Sequence, residues 1–213
     1  MALIATRGAG AEYKRVPQGV HLGRCFRVID LGTQRTEWQG KEKWSRKVMF
    51  SFELHGEDED GSPLVTDDGR ALSISSRYTL SLGDNAAMRA MLEGWRGKAF
   101  SDEELAGFDL ADTLGKWCMV NVTHSTKDGK TYANIGSVTP VPKALRANLP
   151  QGENALQFFD VTDPDMAVFE ALSERMQETI KACKEWQKVS ASKAATASSA
   201  KTSATEDDED IPW

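Results

Sequence analysis

Lys47-Val48-Met49-Phe50-Ser51-Phe52-Glu53-Leu54 sets Val48, Phe50, Phe52 and Leu54 in strict alternation with Lys47, Met49, Ser51 and Glu53. Successive side chains of a strand point to opposite faces, so this stretch predicts a half-buried antiparallel strand with one face in the core and the other available. Upstream, Val20 to Leu31 predicts a first strand, with Cys25, Arg27, Ile29 and Leu31 on one side and Phe26, Val28 and Asp30 on the other. The residues between, 32–47, are polar and read as a loop. Downstream, residues 56–63 (GEDEDGSP) form an acidic, turn-rich loop. It lacks the ligand spacing and flanking helices of an EF-hand calcium site, so a solvated loop is expected. A third strand is expected from about Ala71 to Leu82, with Leu72, Ile74, Tyr78 and Leu80 opposite Ser73, Ser75, Arg77 and Thr79.

Beyond it, Asp84 or Asn85 offers an N-cap for a short amphipathic helix that carries Met88, Met91, Leu92 and Trp95 and ends at Gly94 or Gly97. Ser101-Asp102-Glu103-Glu104 has the pattern of a capping box. Strands follow at Asp112–His124 and Lys130–Val141, joined through Asp128-Gly129, a strong hairpin signal. Three strands, a helical insert and a two-strand hairpin make up the order of the OB-fold, a five-stranded Greek-key barrel with a helix between strands three and four. A generic antiparallel sandwich would show the same alternation. The fold class expected is therefore mainly β: a five-stranded OB-fold barrel, with one C-terminal helix from Pro164 through Trp186 and a disordered acidic tail. Residues 1–19 read as a flexible N-terminal arm, 20–150 as the barrel, 151–189 as a helical extension, and 190–213 as linker and tail.

Composition narrows the function. No apolar run approaches the ~18 residues of a membrane span, and Met1–Arg7 is too short for a signal-peptide core, so a soluble intracellular protein without membrane association is expected. Cys25, Cys118 and Cys183 are far apart and in no Cys-x-x-Cys pair, which argues against a disulfide framework and a zinc site; reduced, buried thiols are expected. The net charge of −6 is unevenly spread. Residues 1–150 carry 20 Lys and Arg against 19 Asp and Glu, residues 151–189 carry 4 against 8, and residues 190–213 carry 2 against 5. A nucleic-acid binder is expected to gather positive charge on one face, and the near-neutral domain must do so locally.

The strongest such gathering is the first loop, where Trp38 and Trp44 are interleaved with Arg35, Lys41, Lys43, Arg46 and Lys47. Single strands are held by cations that track phosphates and by aromatic rings on which bases stack. In OB-folds, strands two and three with loops one–two and four–five form the binding groove. That adds Arg77 on strand three, and Lys127, Lys130 and Tyr132 at the second hairpin. Phe50, Phe52 and Tyr78 fall with core residues. No His-Glu-x-x-His pair, phosphate-binding Gly-rich loop or nucleophile elbow occurs, and His21, His55 and His124 are scattered. No catalytic residue, cofactor or metal is expected.

The chain closes on Glu206-Asp207-Asp208-Glu209-Asp210-Ile211-Pro212-Trp213. A block of like charge repels itself and stays extended, which holds an aromatic out in water for a partner's pocket. These eight residues resemble the acidic C-terminal peptides of bacterial and phage single-stranded DNA-binding proteins, which finish in a similar Asp-Ile-Pro-aromatic sequence; here the last residue is Trp213 where the commonest bacterial pattern has phenylalanine. Strand order, loop composition and tail together, with the large helical insert and the extra C-terminal helix, resemble a phage-encoded, replication-type member of this family, which implies action in the cytoplasm of a bacterial host. Such a protein coats single-stranded DNA during replication, recombination and repair with little sequence preference. It recruits polymerase, helicase or recombinase through Asp207, Asp208, Glu209, Asp210, Ile211, Pro212 and Trp213, and can assemble as a homo-oligomer. The alternatives are an OB-fold adaptor without nucleic acid and a recombination annealing protein or nuclease using the same basic surface.

Overall fold

A computed structural model describes residues 14–38 and 40–189, without the side chain of Trp38. The N-terminal arm before residue 14 and the acidic tail lie outside the described residues. The fold is mainly β. Its strands are β1 (Gly19–Trp38), β2 (Lys41–His55), β3 (Ser73–Thr79), β4 (Trp117–Lys127), β5 (Lys130–Thr139) and β6 (Gln157–Phe159). The sheet order is β3-β2-β1-β4-β5, with β6 paired to β1. The sheet is open, with β3 and β5 at its two ends. The helices are α1 (Ala87–Arg96), α2 (Asp102–Ala106), α3 (Met166–Glu170) and α4 (Glu174–Lys181). Two compact units divide the chain. One takes in the chain up to Val28 with Phe50–Ser76 and Ser81–Leu156; the other takes in Ile29–Met49, Arg77–Leu80 and the chain from Gln157 on.

In the first unit β1 runs antiparallel to β4, from Gly19↔Val122 to Arg24↔Trp117. β4 in turn pairs with β5 from Met119↔Thr139 to Lys127↔Lys130. Asp128 (φ 53°) and Gly129 (φ 72°) make the two-residue turn expected from the sequence, both in the left-handed region that such a hairpin requires. The core contains Phe26, Val28, Phe50, Phe52, Leu54, Leu72 and Ile74. α1 lays Met88, Met91, Leu92 and Trp95 inward, and Trp95 meets Phe52 edge-on at 5.3 Å. Gly94 is required by closeness to β5: a Cβ there would stand 2.9 Å from the Val138 carbonyl oxygen.

Local chemistry corrects three expectations in this unit. The N-cap of α1 is Ala86, without a side-chain cap; Asp84 is instead ion-paired to Arg89 at 2.7 Å. The capping box forms in full, with Ser101 and Glu104 each satisfying the other's backbone N–H, and Gly97 closes α1 with φ 68°. β4 begins at Trp117, because residues Leu110–Thr113 form a 3-10 turn capped by Asp109. The third correction is to β2. Ser51 and Glu53, assigned to an available face, are as buried as their apolar neighbours, and so is Met49, which belongs to the second unit.

A carboxylate with no exposure must be fully paired. Glu53 Oε2 accepts from the Asn154 amide nitrogens of backbone (2.7 Å) and side chain (2.6 Å), Oε1 accepts from Glu153 N (3.1 Å), and His55 Nε2 stands 3.2 Å from Oε1. Arg24 Nε lies 2.7 Å from Oε1 as an ion pair. Burial pushes this carboxyl up, and the Asn154, His55 and Arg24 interactions outweigh it, leaving Glu53 below the ordinary range. Gly152 leaves room for Arg24, since a Cβ there would come within 1.7 Å of the guanidinium carbon.

In the second unit Ile29, Leu31, Met49, Phe159, Val161, Phe169, Leu172, Ile180 and Cys183 form one buried cluster. β6, which carries Phe159, was not expected from the sequence. The expected single helix from Pro164 to Trp186 is instead α3, α4 and a further helical stretch at 184–189. A straight helix would hold Phe169 and Trp186 about 25 Å apart along its axis, yet their rings stack at 4.4 Å. The chain therefore folds back. Ser173 leaves the helical region (ψ 148°) to start α4, and the Gln177 side chain donates to the Glu170 (3.2 Å) and Leu172 (3.0 Å) carbonyls left open at the break.

Candidate nucleic-acid interface

The polar residues read as the first loop are strand. β1 runs to Trp38 and β2 begins at Lys41, with Gly40 at φ 72°, and the two are neighbours in the sheet, so residues 33–38 and 41–47 form the outer arms of a hairpin. Threonine and alternating long side chains suit this as well as they suit a loop. The Thr36 hydroxyl ties the arms by donating to the Lys43 carbonyl at 3.0 Å.

Period two sorts the interleaved residues of β2. Lys41, Lys43, Ser45 and Lys47 share one face; Glu42, Trp44 and Arg46 share the other. Residues 41–44 are exposed and 45–47 half-buried. Among the described residues Lys41 and Lys43 have no ion-pair or hydrogen-bond partner for their side chains. Lys47 Nζ donates to the Thr79 hydroxyl at 2.8 Å. Arg35 is ion-paired to Glu42, both more than half exposed, a pair that contributes little to stability. Arg46 is otherwise engaged: its Nε lies 3.1 Å from Asp30 Oδ2 and its Nη2 3.4 Å from Asp160 Oδ1. The hydrogen bond to Asp30 holds this guanidinium above its ordinary value. Arg77 is exposed on β3. Trp38 is the last residue of β1.

Trp44 is 45% exposed, and its ring has a neighbour that sequence reasoning missed. Lys184 Nζ stands 3.8 Å from the ring centroid. Two anchors fix the stretch that carries Lys184. Cys183 is fully buried against Gly32 (φ 68°), where a Cβ would come within 2.3 Å of its sulfur. The Glu185 carboxylate accepts from Thr33 N (2.7 Å) and Thr33 Oγ1 (2.5 Å). Burial pushes Glu185 up, and these Thr33 hydrogen bonds bring it below the ordinary carboxylate range. No local sequence signal links Lys184 to Trp44, because the contact spans most of the chain.

Lys127, Lys130 and Tyr132 belong to the other unit, at the tip of the β4–β5 hairpin. Direct partners in the register, Lys127↔Lys130 and Ser125↔Tyr132, lie two residues apart along each strand. All three predicted residues therefore share one face, with Tyr132 49% exposed. Among the described side chains, each hairpin thus carries lysines without an ion-pair partner and an exposed aromatic ring, Trp44 on one and Tyr132 on the other.

The remaining polar candidates have structural partners. The imidazoles of His21 and His124 stand 3.0 Å from the Pro17 carbonyl oxygen and 2.9 Å from that of Val16, and His55 faces Glu53. All three cysteines are free and buried; burial pushes the Cys25 thiol up to about 12. Among the described residues no group of three His, Cys, Asp or Glu is placed to hold a metal ion, and no helix is long and apolar enough to cross a membrane. Asp207, Asp208, Glu209, Asp210, Ile211, Pro212 and Trp213, expected from the sequence to dock partners, lie outside the described residues. No protein-family model matches the chain, and no curated protein matches it in sequence.

Proposed function

We propose that this protein binds single-stranded DNA with little sequence preference, without catalysis, and recruits replication or recombination enzymes through residues 207–213. The observation that carries this reading is the outer β1–β2 hairpin, where exposed Trp44 and the unshielded Lys41 and Lys43 supply a stacking ring beside phosphate-range cations. The β4–β5 tip repeats the combination with Tyr132, Lys127 and Lys130. The strand order β3-β2-β1-β4-β5, with α1 and α2 between β3 and β4, supports an OB-fold reading, in which β3 and β5 would be the closing pair. We read the fold as that barrel. The overall likeness of strand order, loop composition and tail to phage single-stranded DNA-binding proteins supports a phage origin and action in the host cytoplasm.

Titration of the chain with oligo-dT and with duplex DNA at two salt concentrations tests the reading through tryptophan fluorescence. Quenching by oligo-dT that weakens as salt rises, with much weaker binding to duplex, is expected. Absence of binding at low salt would favour an adaptor, and shortening of the DNA when magnesium is added would favour a nuclease.

A further inference from the structure

The first unit holds two adjoining hollows, of about 290 Å³ and about 330 Å³, that share Trp95, Arg96 and Lys116 in their walls. Together they reach the size of sites that take small organic ligands, roughly 300–1,000 Å³. The first is floored by Leu92, Trp95 and Phe108, and neither is lined by the hairpin residues Lys127, Lys130 and Tyr132. The neutral donors in these walls are already committed. The Trp95 indole N–H donates to the Trp117 carbonyl at 3.1 Å, and the Thr113 hydroxyl donates to that of Leu110 at 2.6 Å. The cations are less so. Arg96 lies over the Phe100 ring at 4.3 Å and the Phe108 ring at 5.4 Å and is paired to Glu104 through Nη2, while its Nη1 is buried with no hydrogen-bond partner among the described residues. Lys116 is exposed, with no partner for its ammonium among the described residues. Arg146 is held at the second hollow by its Nε, which donates to the Val141 carbonyl at 2.9 Å. Against these three cations the described lining sets one acid, Asp112.

A ligand for such a site brings an apolar body and a negative charge. Sugars and nucleosides are oriented by placed neutral donors and acceptors, and here the indole N–H and the threonine O–H are spent on backbone carbonyls. What the walls offer instead is aromatic surface and unmatched positive charge. We propose that the hollows bind a small aromatic anion, a carboxylate or sulfonate carried on one or two rings, with the rings against Leu92, Trp95 and Phe108 and the charge toward Lys116 and Arg146. Arg96 is the fixed positive wall. A buried donor without an acceptor is costly, and the bound anion supplies negative charge beside the guanidinium that Glu104 satisfies only at Nη2. A nucleic-acid strand fits less well, because stacking uses open ring faces along a track, whereas Trp95 is 7% exposed. The site shares no residue with either hairpin and does not rest on DNA binding.

Fluorescence titration of the full chain with anilinonaphthalene sulfonate, beside phenylnaphthylamine, which has the same rings without the sulfonate, tests this. Saturable binding of the sulfonate that weakens as salt rises is expected. Lys116→Glu, an exposed change, should weaken the sulfonate about fivefold or more through charge reversal and leave the neutral probe within about twofold, whereas a damaged hollow would lose both. Asp112→Asn should act in the opposite direction and tighten the sulfonate about two- to threefold, which no loss of fold would do. Equal effects of Lys116→Glu on the two probes, sulfonate binding indifferent to both substitutions, or no saturable binding would overturn the assignment. So would displacement of the sulfonate by oligo-dT, which would give the hollows to nucleic acid.

Discussion

Residues 48–54 of β2 are buried on both faces, whereas residues 41–44 of the same strand are exposed on both. Each half carries charge, and what differs is where the charge finds its partners. In the inner half Glu53 is enclosed, and hydrogen bonds from Asn154, Glu153 and His55, with the Arg24 charge, replace its hydration. In the outer half Lys41 and Lys43 keep theirs in water, available to an anion. The same distinction separates the cations. Arg24 and Arg46 belong to the protein's own carboxylates, while the outer lysines do not, so a count of basic residues overstates the binding surface.

The largest effect expected from breaking this contrast is at Glu53. Glu53→Ala leaves Arg24 largely buried without its counter-charge and should cost about 3–5 kcal/mol in denaturant unfolding. Lys43→Ala should stay within about 0.5 kcal/mol. Similar costs for the two would erase the difference between the halves. The pH dependence carries the same signature. With its folded-state pKa depressed, Glu53 contributes stability that is fully present above the unfolded value of about 4.3 and is lost as pH falls through the folded one. Glu53→Gln should remove that part of the acid limb.

Next in size is Trp44. Trp44→Ala should weaken oligo-dT binding by about 1–3 kcal/mol with little change in unfolding midpoint, the reverse of the Glu53 pattern. Undiminished affinity would move the stacking site to Tyr132 and the other hairpin. Lys41→Ala and Lys43→Ala should each lower the slope of log affinity against log salt by about 0.7, the single-strand value for one phosphate contact. Arg46→Ala should leave that slope unchanged while lowering stability, since it strips Asp30 of its cation. A slope change at Arg46 equal to that at Lys43 would show that its ion pair opens on binding.

Alternation made the strands legible, and Phe50 and Phe52 read as core because their face is uniformly apolar. Capping chemistry made α2 legible, and Asp128-Gly129 the second hairpin. The outer hairpin was not, because a strand with water on both faces has no apolar period to betray it; its polar residues look like a loop. The buried state of Glu53 was hidden for a different reason. Its partners Glu153 and Asn154 are some hundred residues away, and a lone Glu at a polar position gives no sign that such partners exist. The broken C-terminal helix shows the limit of periodicity: Val168, Phe169, Leu172, Met176, Ile180 and Cys183 keep helical spacing, yet stacking Phe169 on Trp186 requires a fold back that spacing does not encode. Of the candidate binding residues, Lys127, Lys130 and Tyr132 could be read as lying on a hairpin, but that they share one face needed the register.

The smallest effect belongs to Lys184, and it asks what its ammonium does over Trp44. At 3.8 Å from the centroid it lies over one face of the ring, while Trp44 stays 45% exposed; if that exposure is on the opposite face, a base can stack there without displacing the lysine. A cation over an exposed ring contributes about 0.5–1 kcal/mol, and here it also orients the indole, held in turn by Glu185 on Thr33. Lys184→Met should therefore reduce oligo-dT affinity by less than about 1 kcal/mol, less than Trp44→Ala, while shifting the fluorescence of the free protein. A gain in affinity would mean that the lysine occupies the stacking face and must leave for DNA to bind. Trp44 would then belong with Arg46, as a residue whose own partner competes with the ligand, rather than with Lys41 and Lys43.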